Sequence, residues 1–199
     1  MRIVFEGLPG AGKSTLAAAV AQWLTCPLVP EWAGYTEQDW QRFPFSLPHY
    51  QANDELKEQM ARLCAGPVVM DRHYQGGLAY SYAQGSELHE QAMAWYRAAL
   101  AADRLRAPGL LIYLRVEPEL SLRRQPRAAA HLPFACCENL RRVEAFYRKL
   151  AREIEPETPR LELDGALPEA ELLARITTAL ADLGAAARAI APSPPRGQS

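Results

Sequence analysis

Residues Gly7-Leu8-Pro9-Gly10-Ala11-Gly12-Lys13-Ser14 fit G-x-x-x-x-G-K-[S/T] at every fixed position. Chance produces such a match about once in a hundred chains of this length. Glycines at these places let consecutive backbone N–H groups turn inward around phosphate oxygens. The start of the following helix adds about half a positive charge at the same point. Lys13 then reaches the outer phosphates, the Ser14 hydroxyl is a ligand for Mg²⁺, and Gly7, Gly10, Ala11, Gly12 and Thr15 complete the loop. The predicted ligands are a nucleoside triphosphate and Mg²⁺. A Gly-rich turn that binds nothing is the alternative, and the apolar strand before the loop and amphipathic helix after it argue against that.

A second group of residues could act on what the loop holds. Val68-Val69-Met70 ends in Asp71-Arg72-His73. An acid at the carboxyl end of a strand beside the loop suits water-mediated contact with Mg²⁺, and Arg72 would point into the same crevice. A surface ion pair is the plain alternative. Glu31 follows Lys13 by one helix and one short strand, which places it at the carboxyl end of the second strand, facing the crevice where ligands of open α/β sheets bind. Trp32, Tyr35, Trp40, Phe43, Phe45 and Tyr50 crowd the stretch after it, enough to line a pocket for a planar molecule or to pack an ordinary loop. Arg115, Arg123, Arg124, Arg127, Arg141 and Arg142 form the densest basic region, read either as a group meeting phosphates or as a solvated helix face with ion pairs.

The elements that must carry these residues alternate. Strands are predicted at Ile3-Val4-Phe5, Leu28-Val29-Pro30, Val68-Val69-Met70, Leu110 to Leu114 and Leu161-Glu162-Leu163. Helices are predicted over 13–24 with Leu16, Ala19, Val20 and Trp23 on one face, from Asn53 through Leu56, Met60 and Leu63 to Ala65, over 76–83 and 86–104, and near 118–124 and 134–153. A last helix runs from Pro168 to Gly184. Strands separated by helices imply βαβ units, hence a five-stranded parallel sheet covered on both faces in an α/β fold. Ala185 to Ser199, rich in Ala, Pro and Ser, reads as a disordered tail behind one domain over 1–184.

The 199 residues carry 22 Lys+Arg against 23 Asp+Glu, a net charge of −1, which offers no basic field for nucleic acid. No stretch approaches the ~20 apolar residues of a membrane span, and no secretory leader is expected from Met1 to Phe5, where the apolar run is cut short by Glu6. The four Cys and four His lack the close spacing of a zinc site and fit a reducing, cytoplasmic setting. A GTPase would show N-K-x-D, which is absent. A motor or AAA-type ATPase would be longer and would carry a strand ending in two acids.

With these residues in view, the sequence resembles the thymidylate kinase and deoxynucleoside kinase branch of the P-loop kinases. The likeness rests on the phosphate loop, on Val68 to His73 with Leu78-Ala79-Tyr80, on Tyr113 to Glu119 leading to Arg123-Arg124 and Arg127, and on Leu163-Asp164-Gly165. It implies a three-layer α/β/α fold with an Arg-containing lid over about 117–135, and a loop at Asp164 that packs on adenine. It implies Glu31 as the base for the attacking hydroxyl, with Trp32 beside it, and Tyr50-Gln51 as an aromatic–amide pair for the acceptor base. Tyr50-Gln51 reads equally as a helix start. Arg115 stands where the family's strand into the lid carries Asp.

The expected activity is phosphoryl transfer from ATP to a nucleoside or nucleoside monophosphate, and a homodimer is compatible with the resemblance. Two other readings stand beside it: a kinase for an antibiotic or sugar, and a regulatory P-loop protein that senses nucleotide without transfer. Glu31 with Arg72 argues against the sensor, which needs no base.

Overall fold

A computed structural model describes residues 1–33, 46–125 and 136–190. Five parallel strands, β1 (Arg2–Gly7), β2 (Leu28–Val29), β3 (Val68–Asp71), β4 (Leu110–Arg115) and β5 (Arg160–Asp164), form one sheet in the order β2-β3-β1-β4-β5. The helices are α1 (Lys13–Leu24), α2 (Leu47–Arg62), α3 (Tyr74–Gln84), α4 (Ser86–Ala101), α5 (Pro118–Arg124), α6 (Cys137–Lys149) and α7 (Glu169–Ile190). This is the expected α/β architecture of a parallel sheet flanked by helices. Ile3, Val4 and Phe5 of the central strand are sealed from solvent, as are Leu111, Ile112 and Leu114 of β4. Burial on both faces is why these strands read as unbroken apolar runs.

Register places the chemistry at one end. Phe5 pairs with Asp71, so β3 finishes beside the start of the phosphate loop, and Gly7 pairs with Leu114 across the other neighbour. Gly7 has φ 145°, and a Cβ there would overlap the Leu114 carbonyl, so glycine is required for β1 and β4 to stay paired into the loop. The chain reverses direction across the sheet around β1, and a crevice opens at the carboxyl ends of the strands there.

Four expectations need correction. Leu16 and Val20 are buried in α1 as expected, but Ala17 and Ala21 complete the inward stripe and Trp23 is half-exposed. Small alanines let α1 lie close to β3. The second helix does not start at Asn53: α2 opens behind Ser46 with Pro48 in its first turn, and Asn53 lies within it. That helix buries Asn53, Asp54, Lys57 and Glu58 and turns Leu56, Met60 and Leu63 outward, because its polar face looks into the site. Gly184 does not close the last helix, which continues to Ile190 along an alanine run; one glycine costs a helix about 1 kcal/mol and does not end it alone. Beyond Lys149, Leu150–Ile154 form a π-helical turn where a longer α-helix is predicted.

Candidate active site

The loop between β1 and α1 is shaped by left-handed glycines, Gly10 at φ 68° and Gly12 at φ 93°, the latter capping α1. No acid occupies the first turn of α1, so its positive end faces the crevice uncompensated. Lys13 is buried and donates from Nζ to the Leu8 carbonyl at 2.8 Å. Burial and the nearby Arg72 lower its pKa to about 8, against the pull of Glu31, Asp71 and Glu6. Ser14 and Thr15 are exposed on the same rim.

Opposite the loop, Arg72 leaves β3 with φ 63°, a left-handed conformation that a non-glycine residue holds only under outside constraint. The constraint is visible: its N–H donates to the Phe5 carbonyl at 3.0 Å, and its carbonyl accepts from Lys57 Nζ at 2.6 Å. The result aims the guanidinium at Glu31, Nε to Oε1 2.6 Å, with Glu6 Oε2 3.4 Å from Nη1 and the Tyr80 ring 5.6 Å away. Burial would raise the Glu31 carboxyl, but Arg72, Lys13 and Lys57 outweigh it and hold it below the ordinary value, so Glu31 is ionised at neutral pH.

Loop and acid–arginine pair share one cleft of about 420 Å³, lined by Gly10, Gly12, Lys13, Ser14, Thr15, Glu31, Trp32, Tyr50, Arg72 and Arg124, among others. Trp32 and Tyr50 stand 5.5 Å apart between ring centres. Arg124, on α5, donates to the Gly165 carbonyl at 2.8 Å and to the Gly10 carbonyl at 3.3 Å, tying the phosphate loop to the turn after β5.

Other expected residues stand apart. Gly7 and Ala11 shape the loop from behind. Gln51 lines an adjoining hollow that shares Tyr50, Gly77 and Tyr80 with the cleft. Asp71 is buried behind the lining, with Oδ1 sealed and without a hydrogen-bond partner among the described residues. Asp164 is exposed and accepts the Ala166 N–H, closing its own turn, and Arg123 is exposed outside the cleft. Arg127 and four of the six clustered aromatics, Tyr35, Trp40, Phe43 and Phe45, lie outside the described residues. Of the basic cluster, Arg115, Arg141 and Arg142 pair with Glu162, Glu119 and Glu138, which is the solvated-face reading.

Four residues not expected at the site complete it. Glu6, fully buried, accepts from the His73 N–H at 2.9 Å, the Gly76 N–H at 3.0 Å and the Tyr147 hydroxyl at 2.7 Å, besides facing Arg72. Burial raises its pKa against the pull of Arg72. Lys57 donates to the carbonyls of Asp71 at 2.7 Å, Arg72 and Glu31. Asn53 grips the Glu31 carbonyl at 3.0 Å and the Ala33 N–H at 2.9 Å. Asp54 lines the cleft, and burial pushes its carboxyl up to about 7. A charge ending an apolar strand, Ile3-Val4-Phe5-Glu6, was the signal for the first. For the other three the signal was polar residues at helical spacing.

The family described as AAA domain matches residues 2–153. A probable thymidylate kinase of Archaeoglobus fulgidus is 29% identical over 175 residues, 77% of this chain and 83% of that protein. A probable thymidylate kinase of Picrophilus torridus is 29% identical over 143 residues, 62% of this chain; the match spans 66% of that relative's length. Deoxyadenosine kinase from M. mycoides with bound dATP superposes with a TM-score of 0.72 at 16% identity, over 90% of this chain and 99% of that one. The same enzyme with products dCMP and a flexible dCDP gives 0.71 at 17%, over 92% and 100%. These two likenesses concern the fold. The family match, over residues 2–153, runs against the expectation that set AAA-type proteins aside.

Proposed function

The chain belongs to the AAA domain family, and from that premise we propose that it is a P-loop kinase transferring the γ-phosphoryl group of ATP to a hydroxyl of a nucleoside or nucleoside monophosphate. The observation that carries this is the Glu31–Arg72 pair at 2.6 Å in the same cleft as Lys13 and Ser14. A nucleotide sensor has no use for a carboxylate and a strained arginine across from the phosphates. The kinase relatives and the deoxynucleoside kinase fold support the same reading.

In this mechanism the loop's backbone and Lys13 cradle the triphosphate, while Arg124 spans the loop and the turn after β5. Glu31 accepts the proton of the acceptor hydroxyl as its oxygen bonds to the γ-phosphorus. The bond from that phosphorus to the bridging oxygen breaks, and ADP leaves with the electron pair. Arg72 holds Glu31 in place and meets the transferred group. The exposed Ser14 hydroxyl and the unpartnered Asp71 Oδ1 are oxygen donors of the kind that would hold a magnesium ion. When bound, that ion neutralises phosphate charge.

Among the described residues, the cations at the acceptor end are Arg72 and Lys57, and both are engaged, next to Glu31 and Asp54. A second phosphate there would lack charged partners, which favours the uncharged nucleoside over the monophosphate. The test is ADP release by the purified chain with ATP and Mg²⁺, across deoxynucleosides, their monophosphates, an aminoglycoside, a hexose and no acceptor. Turnover that requires a nucleoside or its monophosphate supports the proposal; acceptor-independent hydrolysis, or turnover with the aminoglycoside or hexose alone, defeats it.

A further inference from the structure

One buried acid in the cleft has no part in the mechanism above. Asp54 sits on α2 one turn beyond Tyr50, is 4% exposed, and lines the acceptor end. Its Oδ2 accepts from the Tyr96 hydroxyl at 2.6 Å. Gly77 makes that reach available, since a Cβ at Gly77 would overlap the Tyr96 hydroxyl. Among the described residues nothing donates to the other oxygen, Oδ1, and no cation pairs with Asp54. Lys57, three residues on, spends its ammonium on backbone carbonyls. One carboxylate oxygen is thus fixed by the protein and the second is left for the occupant of the cleft.

Resting on the kinase reading, we infer that Asp54 is a specificity-determining residue that accepts a hydrogen bond from an exocyclic amino group of the acceptor's base. An ionised carboxylate accepts hydrogen bonds and cannot donate them. A base that places an amino group against Oδ1 satisfies it, whereas a carbonyl at the same point sets two acceptors face to face beside a carboxylate that is 4% exposed. Sites built around a buried polar partner reject analogues that leave it unpaired far better than apolar pockets reject a methylene. The acceptor class is therefore an aminopyrimidine or aminopurine nucleoside.

Deoxycytidine and deoxyuridine differ in that group and in the ring nitrogen beside it, an acceptor in the amino base and an N–H donor in the keto base, and deoxyadenosine and deoxyinosine differ in the same way. With both pairs, as nucleosides and as monophosphates, kcat/KM is measured at pH 8, where Asp54 is ionised. The amino member of each pair should be favoured by about 10–100-fold, the worth of one hydrogen bond to a charged group. Asp54→Asn, whose carboxamide both accepts and donates, should bring the members of each pair within about threefold. Equal rates or a keto preference in the unaltered protein overturn the inference, and that comparison stands even if Asp54→Asn does not fold. An Asp54→Asn variant that lowers every acceptor equally also overturns it, since Asp54 would then serve the sugar or the fold. A chain that phosphorylates none of these compounds defeats the kinase reading itself, a result distinct from a kinase that treats the two bases alike.

Discussion

Replacing Glu6 by Gln tests whether Arg72 is aimed by its surroundings. A glutamine oxygen in place of Oε1 keeps the His73 and Gly76 N–H bonds. The amide nitrogen in place of Oε2 then faces two donors, Arg72 Nη1 and the Tyr147 hydroxyl. The hydroxyl can rotate to accept; the guanidinium cannot. Leaving a buried group without its partner costs about 1–3 kcal/mol, and losing one member of a buried ion pair about 3–5. Arg72 keeps Glu31, and Gln escapes the burial penalty that raises the Glu6 carboxyl, so the expected loss is about 2–3 kcal/mol. At about 2–4 °C per kcal/mol for a chain of this size, melting should fall by roughly 4–12 °C. Turnover should fall about tenfold as Arg72 loses its second tether, with ATP affinity unchanged. Thermal melting, kcat with saturating acceptor and ATP titration read the three effects. A lowered melting point with unchanged kcat would refute the positioning role, and unchanged melting would refute the count of hydrogen bonds.

Three further outcomes follow from the charges in the cleft. Asp54 is raised from 3.8 to about 7, so the folded state holds its proton to higher pH than the unfolded state, and stability falls as pH rises between about 4 and 7. Denaturant unfolding of Asp54→Asn should lose that slope and exceed the unaltered protein above pH 7, by of order 4 kcal/mol from a shift near three units; equal slopes would contradict this. Lys13, lowered to about 8, is recharged by a bound triphosphate, so ATP binding should take up a proton and weaken above pH 8. Calorimetry in buffers of different ionisation enthalpy checks this, and a pH-independent affinity would contradict it. Arg124→Ala, which cuts the tie between Gly10 and Gly165, should weaken ATP about 3–10-fold while leaving melting within a few degrees; unchanged ATP affinity would contradict it.

The sheet was legible because its inner strands β1, β3 and β4 are apolar runs buried on both faces, a pattern that needs no tertiary information. The phosphate loop was legible because phosphate geometry dictates glycine and lysine at fixed spacing, and Glu31 and Arg72 because strand ends in open α/β sheets face the crevice. The helix α2 was misread for a physical reason. Leu56, Met60 and Leu63 repeat at helical spacing and so do Asn53, Asp54, Lys57 and Ala61; which stripe turns inward depends on whether a polar site lies beneath. Glu6 was missed because its partners His73, Gly76 and Tyr147 lie 67 to 141 residues away in sequence. The basic cluster split, with Arg124 reaching the loop while Arg115, Arg141 and Arg142 pair with surface acids, because orientation around a helix decides what composition cannot.

The central claim is that this cleft moves a phosphoryl group to a hydroxyl activated by Glu31, and Glu31→Gln tests it most directly. The glutamine keeps the shape and loses the proton acceptor. Acceptor-dependent ADP release should fall by about 10²–10⁴, nearer the lower end because a loose transition state asks less of a base. ATP affinity, measured separately, should hold. Near-normal acceptor-dependent turnover in Glu31→Gln would contradict the account.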